Sequence, residues 1–439
     1  MDSHINNLKY KIRRDGYMLL KDVEKHVCGS EKNGIVYPLY DGYSLVNVPN
    51  TALYILGAKP VGKTLDKSII KHIDTKNIKK IVVLLLDGFG YDMFLKSLEY
   101  ASFFRKVADN GIFAPITSGF PSSTAVSITT MNTGEVPTNH GILSWIFYSE
   151  TSNQIINVLN HNKDKRSRML SQDIFHTKST VFGNFKKSGI HPYTLIDYQI
   201  DKTDYNQSFR SKRKSIYHVK DSDFAIKLRE ILENEKEKSY FFAYLNGIDT
   251  ITHIHGPHSE ASEAEISLIS NALESSFLSK LSKKTASETL LIITADHGHI
   301  RIYPKKTIYL NKFKKLNNYY KLDKNKKPIP PIGSPRYVFM HIKPEKLEEA
   351  YAFLSKKLSK TAKVVKLTDA SESERLLSRN QNKKFLKRAG NLLILPYPGK
   401  SVWYQHEKGH KERNIGVHGG LSPEEMLIPF AAVRLSKIL

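Results

Sequence analysis

The chain of 439 residues has one cysteine, Cys28. This excludes an intramolecular disulfide and any zinc module built on several thiolates. No apolar stretch approaches the ~18 residues that span a bilayer; the longest are IVVLLL (81–86) and LLII (290–293). The N-terminal MDSHINNLKYKIRRDGYMLL lacks the apolar centre of a secretory leader. These absences lead to the expectation of a soluble, cytoplasmic protein without membrane insertion. Acidic residues are short as well, with 43 Asp+Glu against 67 Lys+Arg and a net charge of +24. That excess favours anionic partners such as nucleotides, nucleic acid or phosphorylated small molecules, or it reflects a lysine-rich solvated surface. What is present is 40% hydrophobic and 10% aromatic residues, which excludes wholesale disorder. A chain this long buries a large core or divides into two or three units, and no internal repeat is visible.

Residues 81–86 are apolar throughout and are closed by Asp87-Gly88. Such a run reads as a strand buried on both faces of a parallel sheet. YFFAYLN (240–246), LLIITADHG (290–298) and NLLILP (391–396) share that character. Helical spacing over 222–234 and 261–282 lies between the first three, so the fold class expected is α/β with a mostly parallel central sheet. VNVPNTALYILG (46–57) reads as a strand or a short helix. Residues 301–335, rich in lysine and proline, read as an exposed basic connection. RYVFMHI (336–342), a helical 344–359 and VVKL (364–367) read as a βαβ piece of a smaller unit. The tail 421–435 reads as a turn and an apolar strand returning to the main sheet. The organisation expected is an N-terminal extension over 1–60, a main domain over 61–300 and 406–439, and an inserted α+β cap over 301–405.

Asp87, Asp249 and Asp296 fall at the ends of three of these strands. Ligands of open parallel sheets bind at the carboxyl ends of strands. Carboxylates gathered there repel one another unless cations hold them together. Asp249 and His253 are four apart, which places both on one face of a helical turn. His297 follows Asp296 directly, with Gly298 allowing the backbone to turn, and His418 supplies a further imidazole in VHGGLSPEE. Imidazole and carboxylate suit zinc, with manganese or iron as alternatives. Each group alone is as readily an N-cap or a turn, and His255, His258, His299, His406 and His410 read as solvated or as backing the site. In GFPSSTAVSITTMNTG (119–134), Ser122, Ser123 and Thr124 precede a segment with helical apolar spacing. A hydroxyl there lies beside the free N–H groups of a helix start, which hold an anion such as phosphate; an ordinary N-cap is the plain alternative.

In order, LLLDGFG, FPSSTAVSITTMNTGEVPTNHGI, DTITHIHGP, TADHG and HGGLSPEEMLIP resemble segments of the alkaline phosphatase superfamily, specifically its type I phosphodiesterase/nucleotide pyrophosphatase branch. The resemblance implies a three-layer sandwich with a small inserted subdomain. It implies two divalent metal ions, zinc or manganese. Asp249, His253 and His418 correspond to the ligands of one metal; Asp87, Asp296 and His297, with Thr124 bridging toward it, correspond to those of the other. Thr124 corresponds to the nucleophile, with Ser123 as fallback, attacking a phosphodiester or nucleotide pyrophosphate to give a phosphothreonine that water then hydrolyses. Where nucleotide pyrophosphatases carry Pro-Asn-His after the nucleophile, this chain has Ala125-Val126-Ser127. Phosphomonoesterase and phosphonate hydrolase activities share the same site. A sulfatase is disfavoured, because Cys28 is followed by Gly-Ser-Glu-Lys rather than that class's motif. From other classes, an inactive scaffold stands open, as does a nucleic-acid binder using Lys163–Arg168, Arg210–Lys214 and Lys312–Lys327 with Tyr319 and Tyr320 for stacking.

Overall fold

In the computed structural model, residues 18–150, 152–158, 180–209, 212–378, 382–407, 409 and 411–439 are described. The strands that build the site are, in chain order, β1 (Lys80–Leu86), β2 (Ile112–Thr117), β3 (His191–Asp197), β4 (Lys214–His218), β5 (Ser239–Leu245), β6 (Thr289–Thr294), β7 (Ile332–Ser334), β8 (Tyr337–Met340), β9 (Ala362–Lys366), β10 (Leu392–Pro396) and β11 (Leu427–Arg434).

The central sheet has seven strands in the order β2-β11-β6-β1-β5-β3-β4. Strands β6, β1, β5, β3 and β4 pair in parallel. β11 is antiparallel to both its neighbours, so β2 runs with the parallel set. Every residue of β1, β5 and β6 is buried. These strands are legible as continuous apolar runs because both sheet faces are covered. Leu84 pairs with Ala243 on one side and Ile293 on the other. The carboxyl ends of β5, β1 and β6 therefore lie side by side, with neighbouring strands about 4.8 Å apart. β2 ends at this edge, and β11, running the other way, begins there.

Strand β2 lies at the sheet's border, where unpaired backbone groups invite other chains. The N-terminal segment covers it. Leu20 N–H donates to Phe113 O at 2.9 Å, Leu45 N–H to Thr117 O at 2.8 Å, and Thr117 N–H to Tyr43 O at 2.8 Å. The segment 46–57, open between strand and helix in the sequence, is a helix over Asn47–Leu56.

The smaller sheet is antiparallel with order β7-β8-β10-β9. β8 and β9 both oppose β10, so they run parallel to each other, joined by the helix Leu347–Leu358. The βαβ piece is present, with β10 inserted between its strands. The segment 301–335 differs from the exposed connection expected. Leu310, Leu316, Tyr319 and Tyr320 are buried in the core of the smaller sheet, while Lys312, Lys314, Lys315 and Lys321 are exposed. Average composition conceals apolar anchors spaced among lysines. Among the described residues, no helix is long and apolar enough to cross a membrane.

Arg336, just before β8, is fully buried against Glu425. Its Nε donates to Oε1 at 2.9 Å and its Nη2 to Oε2 at 2.8 Å, while Nη1 donates to the carbonyls of Tyr397 and Lys400. Glu425 also accepts from Gly420 N–H at 2.9 Å and Ser422 Oγ at 2.8 Å. One two-pronged pair thus fastens the smaller sheet to the loop that carries His418. Breaking a buried pair leaves an uncompensated charge and costs about 3–5 kcal/mol. Arg336→Met should lower the unfolding free energy from urea titration by that amount and shift the midpoint down accordingly, and Arg336→Lys should recover only part of it, since an ammonium cannot form the fork. A wild-type midpoint for Arg336→Met would refute this role.

Candidate metal centre

Asp87 follows β1 directly, Asp296 lies two residues beyond β6, and Asp249 sits in the first turn of the helix Gly247–His255 that follows β5. One helical turn later, His253 brings its Nε2 to 3.4 Å from Asp249 Oδ1. His297 Nε2 stands 3.4 Å from Asp87 Oδ1 and 3.2 Å from Asp296 Oδ2. His418, on the loop before β11, reaches to 3.9 Å from Asp249 Oδ1. All six side chains singled out as ligands in the sequence meet at this edge. They form an inner group, Asp87, Asp296 and His297, which is buried, and an outer one, in which Asp249, His253 and His418 are 14–25% exposed.

The groups fit a dication. Tetrahedral zinc with bonds of about 2.0–2.2 Å sets its ligand atoms about 3.3–3.5 Å apart. The separations of 3.2 and 3.4 Å match such edges, and the 3.9 Å of His418 is longer. Asp87 Oδ1 and Asp296 Oδ2 are buried and accept no hydrogen bond among the described residues. Their companion oxygens are held: Tyr244 Oη donates to Asp87 Oδ2, and the N–H groups of Gly88 and His297 donate to Asp296 Oδ1 at 3.0 and 2.9 Å. A buried acceptor without a donor is costly unless a cation takes it. The imidazoles follow one scheme. Nδ1 of His253 faces Gly416 O at 2.7 Å, that of His297 faces Gly298 O at 3.1 Å, and that of His418 faces Ser122 O at 3.0 Å. Donation from Nδ1–H leaves each Nε2 with a lone pair turned inward, the arrangement of a metal-binding histidine.

Electrostatics follow from crowding. Burial first, then Asp296 and Asp249, raise the Asp87 carboxyl well above its ordinary range. Burial raises Asp296 to about 6. Burial works the same way on Asp249, but the imidazoles of His253, His299 and His418 overcome it and hold that carboxyl low. Burial lowers His297 to about 3 and His418 well below its usual value. Their rings stack 3.5 Å apart at 5°, a geometry suited to two neutral imidazoles.

Thr124 opens the helix Thr124–Thr133, with Ser123 at the N-cap position. Its Oγ1 lies 3.1 Å from His297 Nε2. Ser122 is committed elsewhere, donating to Gly420 O at 2.8 Å, and Ser123 lines the cleft beside Thr124. Two glycines permit the close packing. Gly88 has φ +73°, and a Cβ there would stand 2.6 Å from His299 Nε2. Gly298 is not in the left-handed region expected of a turn; a Cβ there would stand 2.1 Å from Glu424 O, so contact rather than dihedral freedom demands glycine.

The remaining histidines divide. His255 and His406 are exposed, His258 pairs with Asp92 at 2.8 Å, and His410 lies outside the described residues. His299 is not solvated: it is buried, with Nε2 at 2.9 Å from Asp249 Oδ1. The signal for it was the two-residue period of an extended chain, which turns 297 and 299 to one side. The outer group opens into a cleft of about 740 Å³ lined by Trp145, Trp403, His406, Lys411 and Arg413. Sequence reading did not find the two tryptophans, which are far apart in the chain. A larger cavity of about 910 Å³ lies between the N-terminal segment and the helix Ala370–Leu377, but none of the six ligand-type residues lines it. Of the basic clusters, Lys163–Arg168, Arg210 and Ser211 lie outside the described residues. Tyr319 and Tyr320 are 2% and 3% exposed, which removes both from a stacking role.

The profile of the type I phosphodiesterase/nucleotide pyrophosphatase family matches residues 81–421. Solved structures share the fold. Murine ectonucleotide pyrophosphatase/phosphodiesterase 5 aligns with a TM-score of 0.58 and 20% identity over 80% of this chain and 87% of that one. An inactive variant of it in complex with AMP gives the same values. The human protein of that name gives a TM-score of 0.60 at 20% identity, with the same coverage. No curated protein sequence matches the chain.

The raised Asp296 carboxyl has a measurable consequence without metal. Its folded value, about 6, exceeds the ordinary 3.8, so the metal-free protein loses stability from this group as pH rises from about 4 through about 6. Asp296→Asn keeps the Oδ1 acceptor and removes the charge. In EDTA it should exceed wild type in urea stability at pH 8, with the gap closing below about pH 4. Zinc should stabilise wild type and much less the variant. A variant weaker than wild type at pH 8 in EDTA would contradict this.

Proposed function

We propose that this chain, which belongs to the type I phosphodiesterase/nucleotide pyrophosphatase family, cleaves phosphodiester or nucleotide pyrophosphate bonds through a phosphothreonine at Thr124. The observation that carries this is the placement of Thr124 Oγ1, 3.1 Å from His297 Nε2 in the inner ligand group, at the start of a ten-residue helix. Two metals, with zinc the best match to the donors, would be held by Asp87, Asp296 and His297 and by Asp249, His253 and His418. When bound they supply Lewis-acid charge toward phosphate oxygens and favour ionised hydroxyl groups.

The chain's own residues supply the rest. The first-turn N–H groups of the helix at Thr124 lack helical partners and offer donors to a non-bridging phosphate oxygen. Thr124 Oγ1, its proton released to solvent, forms the new O–P bond in line with the ester oxygen that leaves, and that oxygen takes up a proton from solvent in turn. Water then attacks the phosphothreonine, restoring the hydroxyl.

The cleft favours a diester carrying a large organic group. Its volume of about 740 Å³ far exceeds a phosphate ion, and pockets of this size hold drug-sized ligands. Trp145, Trp403 and His406 offer ring faces for a nucleobase, and Lys411 and Arg413 offer charge for a second phosphate. The AMP held by the murine relative's inactive variant supports a nucleotide here. A monoesterase or phosphonate hydrolase would use the same metals and leave the aromatic wall idle.

With zinc or manganese supplied, turnover of bis(p-nitrophenyl) phosphate and of the p-nitrophenyl ester of TMP should exceed that of p-nitrophenyl phosphate and phosphonoacetate. Thr124→Ala should keep its metals and lose turnover by about 10³-fold or more. Full activity in Thr124→Ala would refute the nucleophile, and a monoester preference would refute the substrate class.

A further inference from the structure

The outer metal group has four candidate donors rather than three. Asp249, His253 and His299 converge within metal-binding range as closely as Asp249, His297 and His418 do. Read by proximity alone, His299 is a ligand. Its hydrogen-bond accounting points elsewhere.

His253, His297 and His418 each set Nδ1 against a backbone carbonyl, so the ring proton lies on Nδ1 and Nε2 is free to bind a cation. His299 Nδ1 is buried and has no partner among the described residues. Were its proton there, a donor would be stranded in the core and the Nε2 lone pair would face a carboxylate oxygen. Both are unfavourable. With the proton on Nε2, the ring donates to Asp249 Oδ1, and the 2.9 Å separation is that of a hydrogen bond. It is also shorter than the ligand–ligand edge of about 3.3–3.5 Å about zinc, whereas His253 at 3.4 Å fits it.

The other two carboxylates show the same plan. Tyr244 Oη anchors Asp87, and two backbone N–H groups anchor Asp296. Asp249 stands in a helical turn, and among the described residues the one donor brought to its Oδ1 by hydrogen bond is His299. A carboxylate oxygen has two lone pairs, so Oδ1 can accept from His299 and still meet a cation.

We propose that His299 is a positioning residue: its Nε2–H holds the Asp249 carboxylate in the orientation that receives the outer metal, and it does not itself bind the ion. This rests on the two-metal reading above. His299 also limits its surroundings, since Gly88 leaves room for the ring only by lacking a Cβ.

Metal counting and zinc-edge X-ray absorption on the full chain test it. Wild type should hold two zinc ions; none would refute the two-metal reading itself, and this proposal with it. His299→Gln, whose amide N–H reaches the place of Nε2, should bind both ions with affinities within about threefold of wild type. His299→Leu should still reach two ions at saturation, with the outer one about 10–100-fold weaker and the imidazole count per zinc unchanged. His299→Asn places its amide at Nδ1 and should show the same loss if the leucine variant does not fold. A stoichiometry of one in these variants, with a lower imidazole count, would make His299 a ligand and overturn the proposal. Wild-type affinity in all three would overturn it equally.

Discussion

Three carboxylates forced together at the ends of adjacent strands are the constraint on which this structure turns. Register between β5, β1 and β6 leaves Asp87, Asp249 and Asp296 no route apart, because each follows a strand buried on both faces. Burial and mutual repulsion push Asp87 and Asp296 upward, so the empty cage works against the fold at neutral pH. Dications would reverse that sign: they would turn repulsion among anions into shared attraction and make the site a positive sink for phosphate. The same arrangement that costs stability without metal would be the source of metal affinity.

Much of the molecule serves to keep that cage from relaxing. The antiparallel β11 delivers His418 to the edge where the parallel strands end, which no parallel strand entering from the far edge would do. The loop before β11 is held by Glu425, itself gripped by Arg336 from the smaller sheet. The N-terminal segment pairs along β2 and reaches the loop before the helix Thr124–Thr133, where Phe120 N–H donates to Tyr40 Oη at 3.1 Å. Segments distant in sequence thus converge on a few side chains, and the cleft walls come from two of them: Trp145 follows the helix Thr124–Thr133, and Trp403 follows β10.

The strand-end residues were legible in the sequence because their signals are local. A fully buried parallel strand is an unbroken apolar run, and Asp-Gly or Asp-His-Gly at its end marks where a ligand site belongs. The i, i+4 pair Asp249 and His253 needed only helical geometry. β2, β3 and β4 were not legible. IFAPIT carries a proline, HPYTLID is mixed in polarity, and KSIYH begins within a basic cluster, so none shows the run that marked β1. The pairing of the N-terminal segment with β2 was also hidden, since backbone hydrogen bonds leave no trace in side-chain pattern. His299 was legible only as solvated or as backing the site, because the extended period that turns it toward His297 does not show what packs against it. Its place depends on Gly88, more than two hundred positions earlier. The apolar anchors of 301–335 were masked by the lysines between them.

Two metal ions at these strand ends are what the proposed chemistry requires. Anomalous diffraction at the zinc edge, from crystals of the zinc-loaded protein, tests this requirement most directly. Two peaks are expected, one among Asp87, Asp296 and His297 beside Thr124 and one among Asp249, His253 and His418. An absence of peaks there, or a single peak shared by all six side chains, would contradict it.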